Sequence, residues 1–185
     1  MKKRTRKRGP WRIIKSRTVY KNPWISVRED GVIRPDGKHG IYGVVTILSG
    51  VGVVPVDDKK NIYLTKEFHY AVGRVTIEAV SGGMEGGESK LKTAQRELEE
   101  ELGFQAKKWT YLGKLYPLTS VISMENHLYL AQGLVKSSAR PEGTEKIELV
   151  KIPFRRALQW VKSGKISDAT TIVAILKSAE YLGFE

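Results

Sequence analysis

Apolar residues fall in short runs of Val, Ile, Leu and aromatics, separated by clusters of Gly, Pro, Asn and Asp. Such runs, bounded by turn chemistry, predict strands. Residues 11–20 and 25–33 are two of them, joined at Asn22-Pro23, and Arg34 to Gly37 forms a further turn. Others fall at 43–48, 52–56, 62–68, 75–80, 111–116, 127–131 and 147–152, with a polar hairpin loop at 57–61. The period changes over residues 90–102, where Leu91, Ala94, Leu98 and Leu102 share one helical arc. Ser89 stands at the N-cap of this helix and Gly103 just beyond its end. Two more helices are predicted, over 154–162 and from Ser167-Asp168 to about Tyr181. The second turns Ile172, Ile175, Leu176 and Ala179 inward. Strands, a helix, more strands and a last helix predict an α/β/α sandwich around a mixed sheet, with antiparallel strands at the N-terminus.

The polar side of the helix at 90–102 adds chemistry. At roughly 100° per residue, Glu97, Glu100 and Glu101 fall within one arc, while Glu99 points elsewhere, toward water. Like charges at these spacings repel. A divalent cation removes that cost, and clustered carboxylates suit hard ions such as Mg2+ or Mn2+, which also bind phosphate oxygens. Arg96 is placed to orient a neighbouring carboxylate. A solvated acidic face is the usual meaning of such a charge run. The glycine-rich loop leading into the helix, with Glu88 just before it, favours the cation instead.

Residues 82–104 read GGMEGGESKLKTAQRELEEELGF. Gly82, Glu88, Arg96, Glu97, Leu98, Glu100, Glu101, Gly103 and Phe104 fill every specified position of a known pattern, and the stretch resembles the Nudix box. The preceding segment, with Glu78-Ala79-Val80-Ser81-Gly82, resembles the ADP-ribose pyrophosphatase branch of that family. So do Asn22, Trp24, Arg28 and Asp30, and the run from Glu145 to Asp168. The resemblance implies a Nudix fold and a homodimer sharing N-terminal strands. It implies Mg2+-dependent hydrolysis of the diphosphate of ADP-ribose or a related nucleotide sugar, giving a nucleoside monophosphate and a sugar phosphate. It also implies metal ligands at the Ser81 carbonyl, Glu97, Glu100 and Glu101, with Glu100 and Glu101 as catalytic carboxylates. A general base outside the box is expected. Glu125 is the leading choice, and Glu142 and Glu145 compete with it.

Substrate contacts are assigned to Arg74 and His69 for the diphosphate or terminal ribose, to Trp24 and Phe68 for stacking on a base, and to Glu78 for hydrogen bonds. Core or dimer packing is the competing reading of Trp24 and Phe68. His39 and His127 read as structural. His69 stands where this branch carries an arginine, and a histidine is not an equivalent phosphate clamp. GDP-mannose therefore stays open as a substrate. So do two other classes: hydrolysis of nucleoside triphosphates or RNA 5′ ends, and a silent Nudix-fold binding or regulatory protein.

Composition agrees with one enzyme domain. The 185 residues suffice for a sizeable core, and the absence of cysteine excludes disulfides and thiolate chemistry. No apolar run approaches the roughly 18 residues of a membrane span, and no apolar leader opens the chain, so a cytoplasmic location is expected. Charge is uneven: of a net +12, residues 1–20 hold nine Lys or Arg and no acid. The organisation expected is a disordered basic tail over 1–10, N-terminal strands over 11–42 as a dimerisation element, and a Nudix domain over 43–185. The tail would touch nucleic acid only nonspecifically, through phosphates.

Overall fold

The computed structural model describes residues 6–139 and 146–184. The chain divides into two compact units, one made of residues up to Leu48 together with Leu118–Met124, the other of Ser49–Pro117 and Glu125 onward.

The first unit is a five-stranded sheet in the order β1 (Arg6–Arg8), β2 (Trp11–Lys21), β3 (Ile25–Ile33), β4 (His39–Ile47), β10 (Ile122–Ser123). Neighbours are antiparallel except β10, which runs parallel to β4. Ile13, Val32 and Val44 are its buried apolar residues. Asp30 is buried beside them, forked by Arg28 at 3.0 and 3.1 Å. Burial works against its charge, yet hydrogen bonds from Arg28 and Ser16 hold its carboxyl below the usual range. The expectation of a disordered tail fails for its second half, since Arg6 to Arg8 pair with Ile13 to Trp11. Backbone hydrogen bonding to β2 outweighs the polar composition there. Met1 to Thr5 lie outside the described residues.

The second unit holds a sheet in the order β12 (Glu148–Pro153), β6 (Asn61–His69), β5 (Gly50–Val56), β11 (Asn126–Lys136), β9 (Phe104–Leu115). β7 (Arg74–Glu78) adds to β6 and β8 (Val80–Gly83) to β5. The β5–β11 pair is parallel and the rest antiparallel, so the sheet is mixed. Every residue of β5 is buried, as a strand covered on both faces requires. α1 (Lys90–Leu102) covers one face, its Ala94, Leu98 and Leu102 meeting Val51, Val53, Val80 and Tyr129. α2 (Phe154–Lys162) and α3 (Ala169–Leu182) cover the other, around Leu64, Leu128, Leu130, Phe154 and Ile175. This is the expected α/β/α sandwich. No helix among the described residues is long and apolar enough to cross a membrane.

Differences from the pattern are local. The strand expected at 75–80 is two strands, because the chain changes partner at Ala79 from β6 to β5. β9 begins seven residues early, at Phe104, in a mixed stretch with no fully buried position. Leu91 and Leu176, placed on inner faces, are exposed, and Thr93 and Ala174 are buried instead. The boundary expected between residues 42 and 43 falls inside β4.

Candidate active site

α1 starts and stops as its sequence dictates. Ser89 Oγ accepts from the Lys92 N–H, and Gly103 adopts φ 66°, the left-handed cap that glycine takes without strain. Glu97 is buried (8% exposed) against β8. A Cβ on Gly82 would meet its carboxylate, so only glycine leaves that space. Glu101 Oε1 accepts from the Ser81 N–H at 3.2 Å.

Arg96 gathers the remaining charge. Its Nη1 lies 2.8 Å from both Glu97 Oε1 and Glu100 Oε2. Its Nη2 donates to Glu88 Oε2 at 3.2 Å and to the Gly83 carbonyl at 3.0 Å. One guanidinium thus ties the helix to the loop before it, in the charge-assisted geometry suited to arginine. Its hydrogen bond holds the Glu88 carboxyl below its usual range. Burial works against the arginine's own charge, but Glu88 and Glu100 raise its pKa above normal. Glu99, expected to face water, instead accepts from Gln105 Nε2 at 2.9 Å and from Ser137 Oγ.

Among the described residues no three His, Asp or Glu side chains are closed into a ready-made cation cage. Mg2+ does not require one, since it keeps waters and takes one or two carboxylates together with substrate phosphates. The donor set here is carboxylate and backbone oxygen, the chemistry a hard divalent ion selects.

Glu125 sits at the same end of the sheet as the box loop. Its carbonyl accepts from the Gly50 N–H at 3.0 Å, its N–H donates to Ser49 Oγ at 3.3 Å, and the Ser49 carbonyl accepts from the Met84 N–H at 2.8 Å. The Glu125 and Met84 backbones therefore stand two strand spacings apart, about 10 Å. Lys114 Nζ lies 2.6 Å from Glu125 Oε2, and His127 Nε2 3.3 Å from Oε1. The lysine holds the Glu125 carboxyl below its usual range and is itself raised by it. Burial, then Lys90, pushes His127 down. Glu142 and Glu145 lie outside the described residues.

The β6–β7 hairpin brings His69 and Glu78 together, Nε2 to Oε1 at 3.2 Å, with Thr76 Oγ1 donating to the same oxygen at 2.5 Å. Arg74 pairs in register with His69 and reaches Ser167 Oγ at 3.4 Å. Phe68 is exposed on β6, so it is not a core residue of this unit. Trp24 belongs to the first unit, 72% exposed, its backbone N–H donating to Asn22 Oδ1 at 2.9 Å. Lys114 and Tyr111, both on β9, were not singled out in the sequence, where they read as ordinary strand residues.

The nucleoside diphosphate sugar hydrolase N-terminal domain family matches residues 11–45, and the NUDIX domain family matches residues 46–170. The chain is 30% identical over 164 residues to the ADP-ribose pyrophosphatase of Bacillus subtilis (strain 168), spanning 88% of this chain and 89% of that one. It is 28% identical over 174 residues to the ADP compounds hydrolase NudE of Escherichia coli (strain K12), spanning 92% of each. It is 26% identical over 164 residues to the methanol dehydrogenase activator of Bacillus methanolicus, with 88% and 89% covered. A crystal structure of an ADP compounds hydrolase shares the fold, with a TM-score of 0.82 at 23% identity over 92% of this chain and 93% of that one.

Proposed function

Since the chain belongs to the Nudix family and is a pyrophosphohydrolase, we propose that it splits the diphosphate of a nucleoside diphosphate sugar, ADP-ribose foremost, in a Mg2+-dependent reaction. The observation that carries this reading is the massing of Glu88, Glu97 and Glu100 on Arg96, with Glu101 held at Ser81 beside them. The activities named for the Bacillus subtilis and Escherichia coli relatives support the substrate class.

The Ser81 carbonyl, Glu97, Glu100 and Glu101 would hold Mg2+, which when bound neutralises the diphosphate and acidifies a water. Arg96 keeps Glu97 and Glu100 oriented toward the loop. Glu125 serves as the base that takes the water's proton. The hydroxyl adds to one phosphorus, the bridging P–O bond breaks, and AMP and ribose 5-phosphate leave when ADP-ribose is the substrate. Arg74 and His69 hold the diphosphate or terminal ribose, Glu78 orients His69, and Phe68 offers a stacking face.

The test is hydrolysis of ADP-ribose, GDP-mannose, UDP-glucose, 8-oxo-dGTP and a triphosphorylated RNA by wild type and Glu101→Gln, with and without Mg2+. Release of AMP from ADP-ribose, with kcat lowered on the order of 100-fold in the variant, is expected. Preference for a triphosphate or RNA would overturn the sugar assignment.

A further inference from the structure

The side chains around Glu125 form a continuous network that the hydrolytic chemistry above leaves unused. Lys114 Nζ contacts one Glu125 oxygen at 2.6 Å and His127 Nε2 the other at 3.3 Å. Tyr111 hydroxyl lies 3.1 Å from His127 Nδ1. Lys90, the first residue of α1, stands 4.1 Å over the Tyr111 ring, and Lys114 stands 5.2 Å over that of Tyr116. His127 is buried on the α1 face of β11, while Glu125 remains partly open to solvent.

The geometry fixes a tautomer. A neutral imidazole has one donor and one acceptor nitrogen. The Glu125 carboxylate only accepts, so Nε2 must carry the proton, and Nδ1 then accepts from the Tyr111 hydroxyl. The opposite tautomer would leave the Glu125 contact unmade, because a bare Nε2 has nothing to donate to a carboxylate. Lys114 anchors the other carboxylate oxygen, so rotation about the last side-chain bond of Glu125 is blocked from both sides.

We propose that Lys114, His127 and Tyr111 are positioning residues that fix the Glu125 carboxylate beside the box loop, and so act on turnover rather than substrate affinity. The inference rests on the reading of Glu125 as the base.

Glu125→Gln, His127→Phe, His127→Gln and Lys114→Met are assayed with ADP-ribose and Mg2+, with Glu101→Gln as reference and thermal melting to confirm folding. Glu125→Gln is expected to lose on the order of 100-fold in kcat. His127→Phe and Lys114→Met lose about tenfold each, with KM within about twofold. His127→Gln, whose amide N–H keeps the donor to Glu125, retains most of the rate. His127→Phe adds no further loss to Glu125→Gln, because both act through one carboxylate. Nitrogen NMR of the wild-type imidazole near neutral pH shows protonated Nε2 and bare Nδ1.

A bare Nε2 overturns the proposal whatever the variants do. So does full activity of His127→Phe and Lys114→Met beside an impaired Glu125→Gln, or a fully additive double variant. Full activity of Glu125→Gln beside an inactive Glu101→Gln removes the network's role and leaves the hydrolase reading standing.

Discussion

A Cβ built on Gly82 would lie 1.8 Å from Glu97 Oε1 and 2.0 Å from its Cδ. Gly82 is not among the positive-φ glycines, so alanine would fit the backbone, and its nearest clash is with that carboxylate. Gly82→Ala therefore moves one functional group while sparing the fold. We expect kcat to drop by about 100-fold, the scale of a 1 Å misplacement, with little change in melting temperature. Unchanged kcat would show that Glu97 need not sit where β8 holds it. The nine box positions were legible in the sequence because their spacing is specific. The role of Lys114 was not, because a lysine in a strand carries no spacing signal until its partner across the sheet, eleven residues on, is known.

At the scale of elements, the 57–61 hairpin loop is organised by one carboxylate. Asp57 Oδ1 accepts from the N–H groups of Lys59 and Asn61 at 3.0 and 2.8 Å, and Oδ2 from Tyr63 at 3.1 Å and Lys151 at 3.0 Å. Burial alone would raise its pKa, but the bonds from Asn61, Lys151 and Tyr63 hold it far below the usual carboxylate range. A depressed folded-state pKa contributes stability that is present above the unfolded value of about 4 and is lost as pH falls toward the folded one. Asp57→Ala should cost about 2 kcal/mol at neutral pH by urea denaturation. Its deficit should shrink below about pH 4; a deficit independent of pH would sink this account. Most elements were readable from periodicity, and α1 was legible to the residue because Ser89 and Gly103 mark its ends. β10 was not, since its two residues carry no period and exist as a strand only through β4. The break at Ala79 was equally hidden, because a change of partner leaves no trace in an unbroken apolar run.

On the scale of the whole molecule, charge and chemistry are segregated along the chain. Nine of the 32 Lys and Arg residues lie in the first 20 positions, and the carboxylate cluster lies in 88–101. Arg6 to Arg8 occupy an edge strand, with Lys7 directly opposite Arg12, a like-charge pairing that favours neither strand. Removing residues 1–10 should leave kcat/KM for ADP-ribose within about twofold, as expected of exposed charges. A tenfold loss would make the segment part of the reaction.

The first unit also takes a strand from the middle of the chain. β10 pairs with β4 through Ile122 opposite Val45 and Ser123 opposite Thr46, and the Val45 N–H donates to the Val121 carbonyl at 2.9 Å. Chain order then dictates an order of assembly. On a ribosome β1 to β4 emerge first, but the free edge of β4 waits until Leu118–Met124 has been made, after the whole of α1 and β9. Until then that edge is open to other chains, so during synthesis the earliest strands are among the last to be completed. For the same reason a fragment cut at residue 46, where the two matched families meet, would begin inside β4 and leave β10 with only the stub of its partner.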